Sequence, residues 1–154
     1  MEGKLCLITG ATDGIGKETA KCLAGFNARL ILVGRDQSKG ESVRNELMVQ
    51  TGNDQIDIMT ADLSNMSAIQ KLSAEIHKKY NKLNVLINNA GAFFSKREIT
   101  DDGFEKTFAL NHLGYFLLTK LLLDLIKKST DARIINVSSQ AHAGSTINFD
   151  DLHG

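Results

Sequence analysis

Three glycines stand close together in the run Thr9-Gly10-Ala11-Thr12-Asp13-Gly14-Ile15-Gly16. The residues before them, Leu5 to Ile8, form a short apolar run, and Lys17 to Leu23 behind them reads as helix. A buried strand, a glycine turn and a helix start together make a seat for the pyrophosphate of a dinucleotide. Gly10 lets the chain turn sharply. Gly14 lets backbone approach a phosphate, because no Cβ intervenes, and Gly16 lets the helix pack close to the strand. The unpaired N–H groups and positive dipole end of that helix face the anion, and Asp13 stands at the N-cap position. The spacing is Thr-Gly-x-x-x-Gly-x-Gly rather than the common Gly-x-Gly-x-x-Gly, and a glycine-rich turn can also be a plain strand–helix connector.

Other polar positions fall at the ends of apolar runs. The second run closes on Val33-Gly34-Arg35-Asp36. An acidic residue there, roughly 20 residues past the glycines, would hold the ribose hydroxyls of NAD. Here Gly34 takes that place and Arg35 follows, and a guanidinium pairs with a 2′-phosphate through two N–H groups. NADP is therefore expected ahead of NAD. The alternative is that Arg35 is a solvated loop residue and Asp36 binds a ribose. Asp62, in Ala61-Asp62-Leu63, has the chemistry either to accept from an adenine amino group or to cap the next helix. Asn88-Asn89-Ala90-Gly91 offers two amides and a glycine for packing against a flat cofactor. Asn111 lies with His112 inside a long helical stretch, where asparagine is unfavourable. It asks for a reason: a kink, a water site or a buried polar contact. Ser138 and Ser139 bring hydroxyls to the end of the last apolar run. The histidines at 77, 112, 142 and 153 show no metal-ligand spacing, so no metal site is expected.

The elements that must position these residues alternate along the chain. Strands are expected at Leu5–Ile8, Ala28–Val33, Gln55–Thr60, Leu83–Asn88 and Arg133–Val137. Helices are expected at Lys17–Leu23, Gln37–Val49, Asn65–Lys78 and Phe104–Lys127. Apolar strands joined by helices imply an α/β fold, a doubly wound parallel sheet covered on both faces. Right-handed crossovers give the strand order 3-2-1-4-5. Ligands bind outside the carboxyl ends of such strands, which places the irregular stretch 91–103 near the site. Residues 140–154 show no clear sixth strand. One domain, 1–154, accommodates all of this.

The chain has 154 residues, 42% hydrophobic and 23% charged, with 18 basic and 18 acidic residues. Zero formal net charge argues against a nucleic acid partner, which needs a basic face. No run of 18 apolar residues is present, so no membrane span is expected. Nothing before the first strand has the form of a leader, and the expected location is the cytoplasm. Cys6 and Cys22 read as buried, reduced, small apolar residues. The chain contains no proline, for which we have no physical account.

Taken together, Thr9 to Gly16, Asp62, Asn88 to Gly91, Asn111 and Asn136-Val137-Ser138-Ser139 resemble the short-chain dehydrogenase/reductase family. The stretches Asn111 to Thr119 and Ser139 to His142 look most like its retinol-dehydrogenase-type branch. The resemblance implies a Rossmann-type fold. It implies hydride transfer between the nicotinamide of NADP and an alcohol or carbonyl of retinoid, steroid or lipid class. It places Thr9, Gly10, Thr12, Asp13, Gly14, Ile15, Gly16, Arg35, Asp62, Leu63, Asn89, Ala90 and Gly91 around the cofactor. Ser139 would hydrogen-bond the substrate oxygen, and Asn111 would hold a water in the proton relay. Family members often pair through the long helix and the one after it, so a homo-oligomer through 104–127 is a further expectation. One departure stands out. The family's proton donor is a tyrosine in Tyr-x-x-x-Lys after the serine. Here Tyr80 is followed at four by Asn84 and Tyr115 by Thr119, and both precede Ser139. The chain thus reads as the cofactor-binding, N-terminal portion of such an enzyme, with the last strands missing and no activity of its own. A non-catalytic dinucleotide-binding sensor or scaffold is the alternative; another Rossmann-type protein, such as a methyltransferase, fits Asn88 to Gly91 and the serine pair less well.

Overall fold

The structure is a computed structural model that describes residues 1–144 and 146–152. His153, one of the four histidines above, lies outside the described residues. Among the described residues five short strands form one parallel sheet: β1 (Leu5–Thr9), β2 (Arg29–Gly34), β3 (Ile56–Thr60), β4 (Val85–Asn88) and β5 (Arg133–Asn136). Their order is β3-β2-β1-β4-β5, as the alternation requires. Leu7 of β1 stands opposite Ile31 of β2 and Leu86 of β4, so the middle of the sheet is aliphatic on three adjacent strands.

Among the described residues four helices cover the sheet: α1 (Gly14–Gly25), α2 (Gln37–Thr51), α3 (Met66–Lys79) and α4 (Lys106–Lys127). Alternate strand residues point to opposite faces, and the two faces build separate cores. Leu7, Ile31 and Leu86 pack with Ile69, Leu72 and Ile76 of α3 and with Leu118 and Leu122 of α4. Ile8, Leu30 and Leu32 pack on the other side with Ala20 and Ala24 of α1 and Val43 and Leu47 of α2. Small residues on α1 bring its axis close to the strands, which fixes where its N-terminus points.

The helix ends obey local chemistry. Asp13, Asp36 and Asn65 each accept a backbone N–H of the first turn, and Gly52 closes α2 in the left-handed region at φ +73°. Because Asp13 caps Gly14 directly, α1 starts three residues earlier than the sequence suggests, and Gly14 and Gly16 are helical residues. The long helix begins at Lys106 rather than Phe104, with the Glu105 carboxylate accepting from Thr107 N at 2.9 Å and Phe108 N at 2.8 Å. It has one α turn, then a π-helical turn over Ala109–Leu113, then regular helix from Gly114.

By length and composition α4 is, among the described residues, the one helix that could cross a membrane. The count of uninterrupted apolar residues passed over it. Within this fold it is a core helix, burying Leu118, Leu122, Leu125 and Ile126 against the sheet and α3. Two other expectations need correction. Cys6 is buried, which pushes its thiol up to about 11, but Cys22 is exposed on the outer side of α1. β5 ends at Asn136 and, among the described residues, pairs with β4 alone, with Ile134 and Ile135 39% and 46% exposed.

Candidate functional site

The carboxyl ends of β1 and β4 are tied by one hydroxyl. Thr9 is fully buried, and its Oγ1 accepts from the backbone N–H of Asn89 at 2.9 Å and of Ala90 at 3.0 Å. Asn89 answers by donating its amide Nδ2 to the carbonyls of Thr9 at 2.9 Å and Gly10 at 3.2 Å. The glycine turn therefore rests on the segment after β4. Gly10, at φ +63°, has no room for a Cβ, which would lie 2.8 Å from Ala90 Cα. A Cβ on Gly16 would meet the Gly10 carbonyl oxygen at 2.2 Å and Asn89 Nδ2 at 2.5 Å, so this glycine fits the helix against the turn and Asn89. Gly14, at φ +47°, differs: a Cβ there would meet nothing within 4 Å. The space above it is open, at the end of α1 where unpaired N–H groups point outward.

That space belongs to a cleft of about 440 Å³. Its walls include ten of the residues expected around a cofactor: Gly10, Thr12, Asp13, Gly14, Ile15, Arg35, Leu63, Asn89, Ala90 and Gly91. Of the others, Thr9 and Gly16 support the walls from behind. Asp62 does not line the cleft, and its carboxylate accepts from the Ser64 backbone N–H at 2.9 Å and the Ser64 hydroxyl at 2.7 Å. The cap of α3 is Asn65, so the capping alternative for Asp62 is corrected: it holds the turn before the helix. Lys39, Gly34, Val33, Ala61, Ala92 and Leu110 complete the lining. Gly34 is the strand-end position where an acid would contact a ribose, and Thr12 fills the space beside it: a Cβ at Gly34 would lie 2.7 Å from the Thr12 methyl.

Three lining residues carry charge: Asp13, Arg35 and Lys39. The Asp13 carboxylate accepts from the Lys39 ammonium at 2.6 Å and from Gly14 N–H at 2.8 Å. Those bonds, the one from Lys39 first, hold its carboxyl below the usual carboxylate range. Sequence reasoning missed Lys39. The signal that could have found it is a second cation four residues beyond Arg35, close to the start of α2.

The two expected catalytic positions stand elsewhere. Asn111 sits in the π turn and faces solvent. Its Oδ1 accepts from Ala92 N–H at 3.0 Å and its Nδ2 donates to Ala92 O at 2.9 Å. The reason asked of it is met: a helix irregularity and a two-bond clamp on the loop after β4. Ser139 is exposed just beyond β5, and its hydroxyl accepts from Ala141 N–H at 3.2 Å, capping a short turn. Asn111 and Ser138 share a second cavity of about 580 Å³, with Tyr115 and Thr119. Between the two cavities Asn88 joins three elements, its Nδ2 donating to Thr119 Oγ1 at 3.0 Å and Asn136 Oδ1 at 2.8 Å.

A dinucleotide fits these residues. The glycine backbone is bare where a phosphate would sit, the helix end behind it is positive, and Arg35 flanks the ribose end.

Comparison with known proteins agrees. The family model described as short chain dehydrogenase matches residues 4–149. Retinol dehydrogenase 12 of Mus musculus is 46% identical over 152 residues, covering 99% of this chain and 48% of that protein. Retinol dehydrogenase 11 of Homo sapiens is 46% identical over 154 residues, covering 100% and 48%. The chain thus spans about half the length of the curated relatives it matches. Among solved structures, the Pseudomonas aeruginosa RhlG/NADP active-site complex superposes with a TM-score of 0.81 at 27% identity, covering all of this chain and 61% of that one. With the family model running from one end of the described fold almost to the other, and retinol dehydrogenases among the relatives alongside it, the chain belongs to the short-chain dehydrogenase family, in its retinol-dehydrogenase branch.

Proposed function

We propose that this chain is the cofactor-binding half of an NADP-dependent oxidoreductase acting on an alcohol or carbonyl of retinoid, steroid or lipid class. The observation that carries the cofactor is the open space over Gly14, in a cleft whose ribose end has Gly34 in place of an acid and Arg35 beside it. The retinoid class rests on the names of the relatives. The nicotinamide, when bound, supplies or receives the hydride. The chain's own residues bind and orient. The turn from Gly10 to Gly16 seats the pyrophosphate, Arg35 pairs with the 2′-phosphate, and Asn89, Ala90 and Gly91 flank the rings. The Ser139 hydroxyl orients the substrate oxygen, and Asn111 holds the loop beside it.

Proton transfer is the step these residues do not supply. A tyrosine of ordinary pKa near 10 needs roughly 4 kcal/mol to ionise at neutral pH, and a lysine one turn away would lower that. Tyr80 has moved the other way. Burial and its hydrogen bond to the Asp57 carboxylate both hold its hydroxyl protonated. Burial pushes Tyr115 up as well. We therefore expect no steady hydride transfer from this chain by itself.

The test is a fluorescence titration of the chain with NADPH and NADH, beside a turnover assay on a carbonyl panel. A charge-assisted bond contributes about 1.5–3 kcal/mol, so Arg35→Ala should weaken NADPH about 10- to 150-fold and leave NADH nearly unchanged. Equal losses would sink the NADP assignment, and steady turnover would sink the missing-acid reading.

The second reading is a dinucleotide-binding module without catalysis, and tight binding with no turnover in any longer form of the protein would select it. Pairing of copies through the outer side of α4, where Phe116 is 63% exposed, belongs to the same proposal. So does a reducing, cytoplasmic location, which suits the exposed thiol of Cys22.

A further inference from the structure

The cleft contains an electrostatic conflict. Asp13 places a carboxylate at the first turn of α1, beside the open space where a phosphate would sit, and like charges there repel. Lys39 resolves it by reaching from α2 to put its ammonium 2.6 Å from that carboxylate. The pair is loosely held. The Lys39 side chain is 48% exposed and that of Asp13 83%. Exposed pairs contribute little to stability. The ammonium is therefore free to leave for a stronger anion at small cost.

A 2′-phosphate is such an anion. A phosphate monoester carries about −1.5 to −2 charge at pH 7 and three acceptor oxygens, against one charge on Asp13. Arg35 lines the cleft immediately after the last residue of β2, and Lys39 follows four residues on, lining the same cleft. Gly34 between them and Thr12 leaves the strand end without a side chain of its own. Both cations thus stand at the end where a ribose meets β2. A ribose 2′-hydroxyl, being neutral, gives the ammonium no reason to leave Asp13.

Resting on the dinucleotide reading above, we propose that Lys39 is a second, exchangeable cation for the 2′-phosphate, parked on Asp13 in the free cleft and transferred to the phosphate on binding. The exchange makes Lys39 a specificity-determining residue and Asp13 its competitor. When Lys39 leaves, Asp13 keeps its bond to Gly14 N–H, so the cap of α1 survives.

The test uses the whole chain and two small probes that contact only the adenosine end: adenosine 2′,5′-bisphosphate and 5′-AMP, titrated by calorimetry. Lys39→Gln should weaken the bisphosphate about 5- to 20-fold and leave 5′-AMP within twofold. Asp13→Asn retains a good capping residue and removes the competitor, so it should tighten the bisphosphate severalfold. Adding Lys39→Gln to Asp13→Asn should cancel that gain. Equal weakening of both probes by Lys39→Gln would mean that the lysine only offsets Asp13, and overturns the exchange. So would an Asp13→Asn variant no tighter than wild type. Arg35→Ala separates this inference from the reading beneath it. If Arg35→Ala weakens the bisphosphate selectively and Lys39→Gln does not, the inference alone fails. If wild type binds neither probe, or binds both equally and is indifferent to Arg35→Ala, both fail together.

Discussion

Gly14 and Gly16 are two residues apart in one helical turn, and the structure gives them opposite consequences when a methyl group is added. At Gly16 an alanine Cβ would sit 2.2 Å from the Gly10 carbonyl oxygen, where ordinary contact begins near 3.4 Å. The neighbour is backbone and cannot swing aside, so the turn must shift by about 1 Å. Overpacking of this kind costs about 1–3 kcal/mol, and a rigid neighbour places it at the upper end. Alanine regains at most about 1 kcal/mol as the better helix former. The net loss is about 2 kcal/mol, or about 4–8 °C in Tm for a chain of this size. At Gly14 an alanine meets nothing within 4 Å, and its cost is backbone strain at φ +47°. That strain is about 1–2 kcal/mol, partly offset by the lower entropy of the unfolded chain, about 0.4–1 kcal/mol. The melting point should fall by at most a few degrees. Binding reverses the ranking, because the Gly14 methyl enters the open space over the helix end. Gly14→Ala should lose NADPH affinity at least tenfold while melting close to wild type. Thermal melts followed by circular dichroism, with NADPH titration of each variant, read both effects. A Gly16→Ala variant that melts with wild type, or a Gly14→Ala variant that binds NADPH undiminished, would refute the reasoning.

The remaining predictions concern single contacts. Thr9→Val strands two half-buried N–H groups, each costing about 1–2 kcal/mol, the lower part of the range for a fully buried group, so urea unfolding should show a loss of about 2–4 kcal/mol that Thr9→Ser largely restores. His77 gives a pH dependence. Its Nδ1 meets the Ser73 carbonyl at 2.8 Å and its Nε2 the Asp124 carboxylate at 3.0 Å, two acceptors that raise its pKa above the usual value. A raised folded pKa means that the contribution is complete below about pH 6.5, the unfolded value, and is lost as pH rises through the folded one. Melts from pH 5.5 to 8.5 should show wild type losing its advantage over His77→Gln as pH rises, and a constant difference would remove His77 from the account. Asn111→Ala should abolish exchange protection of the Ala92 amide, measured by hydrogen exchange, with little change in Tm because the clamp is solvent-facing.

Much of this was legible because the determinants are local. Leu5 to Ile8, the glycine spacing and the Asn88 to Gly91 run identify strand ends from residue type alone, and strand order follows from crossover handedness. What escaped depends on distant pieces of chain. Lys39 lies on a polar stretch of α2 and becomes a wall of the cleft through its reach to Asp13, 26 residues away. The π turn at Ala109–Leu113 was visible as an uncomfortable asparagine, but its partner Ala92 is 19 residues away. Asp62 offered two chemistries by type, and the neighbouring Ser64 decided one of them by claiming its carboxylate. Cys22 was misplaced because small residues on α1 belong to two sides, and Gly16, Ala20 and Ala24 take the buried one.

Every residue lining the cleft over Gly14 falls between Gly10 and Leu110, and the helix that backs it ends at Lys127. During synthesis, domains fold with their N-terminal parts emerging first. The binding walls are therefore assembled once α4 docks, before β5 has to pair. A ligand that binds at that stage adds RT ln(1 + [L]/Kd) to the stability of the nascent sheet. On the dinucleotide reading proposed above, cellular dinucleotide concentration would become a folding variable for this polypeptide, acting while the edge of β4 still waits for β5.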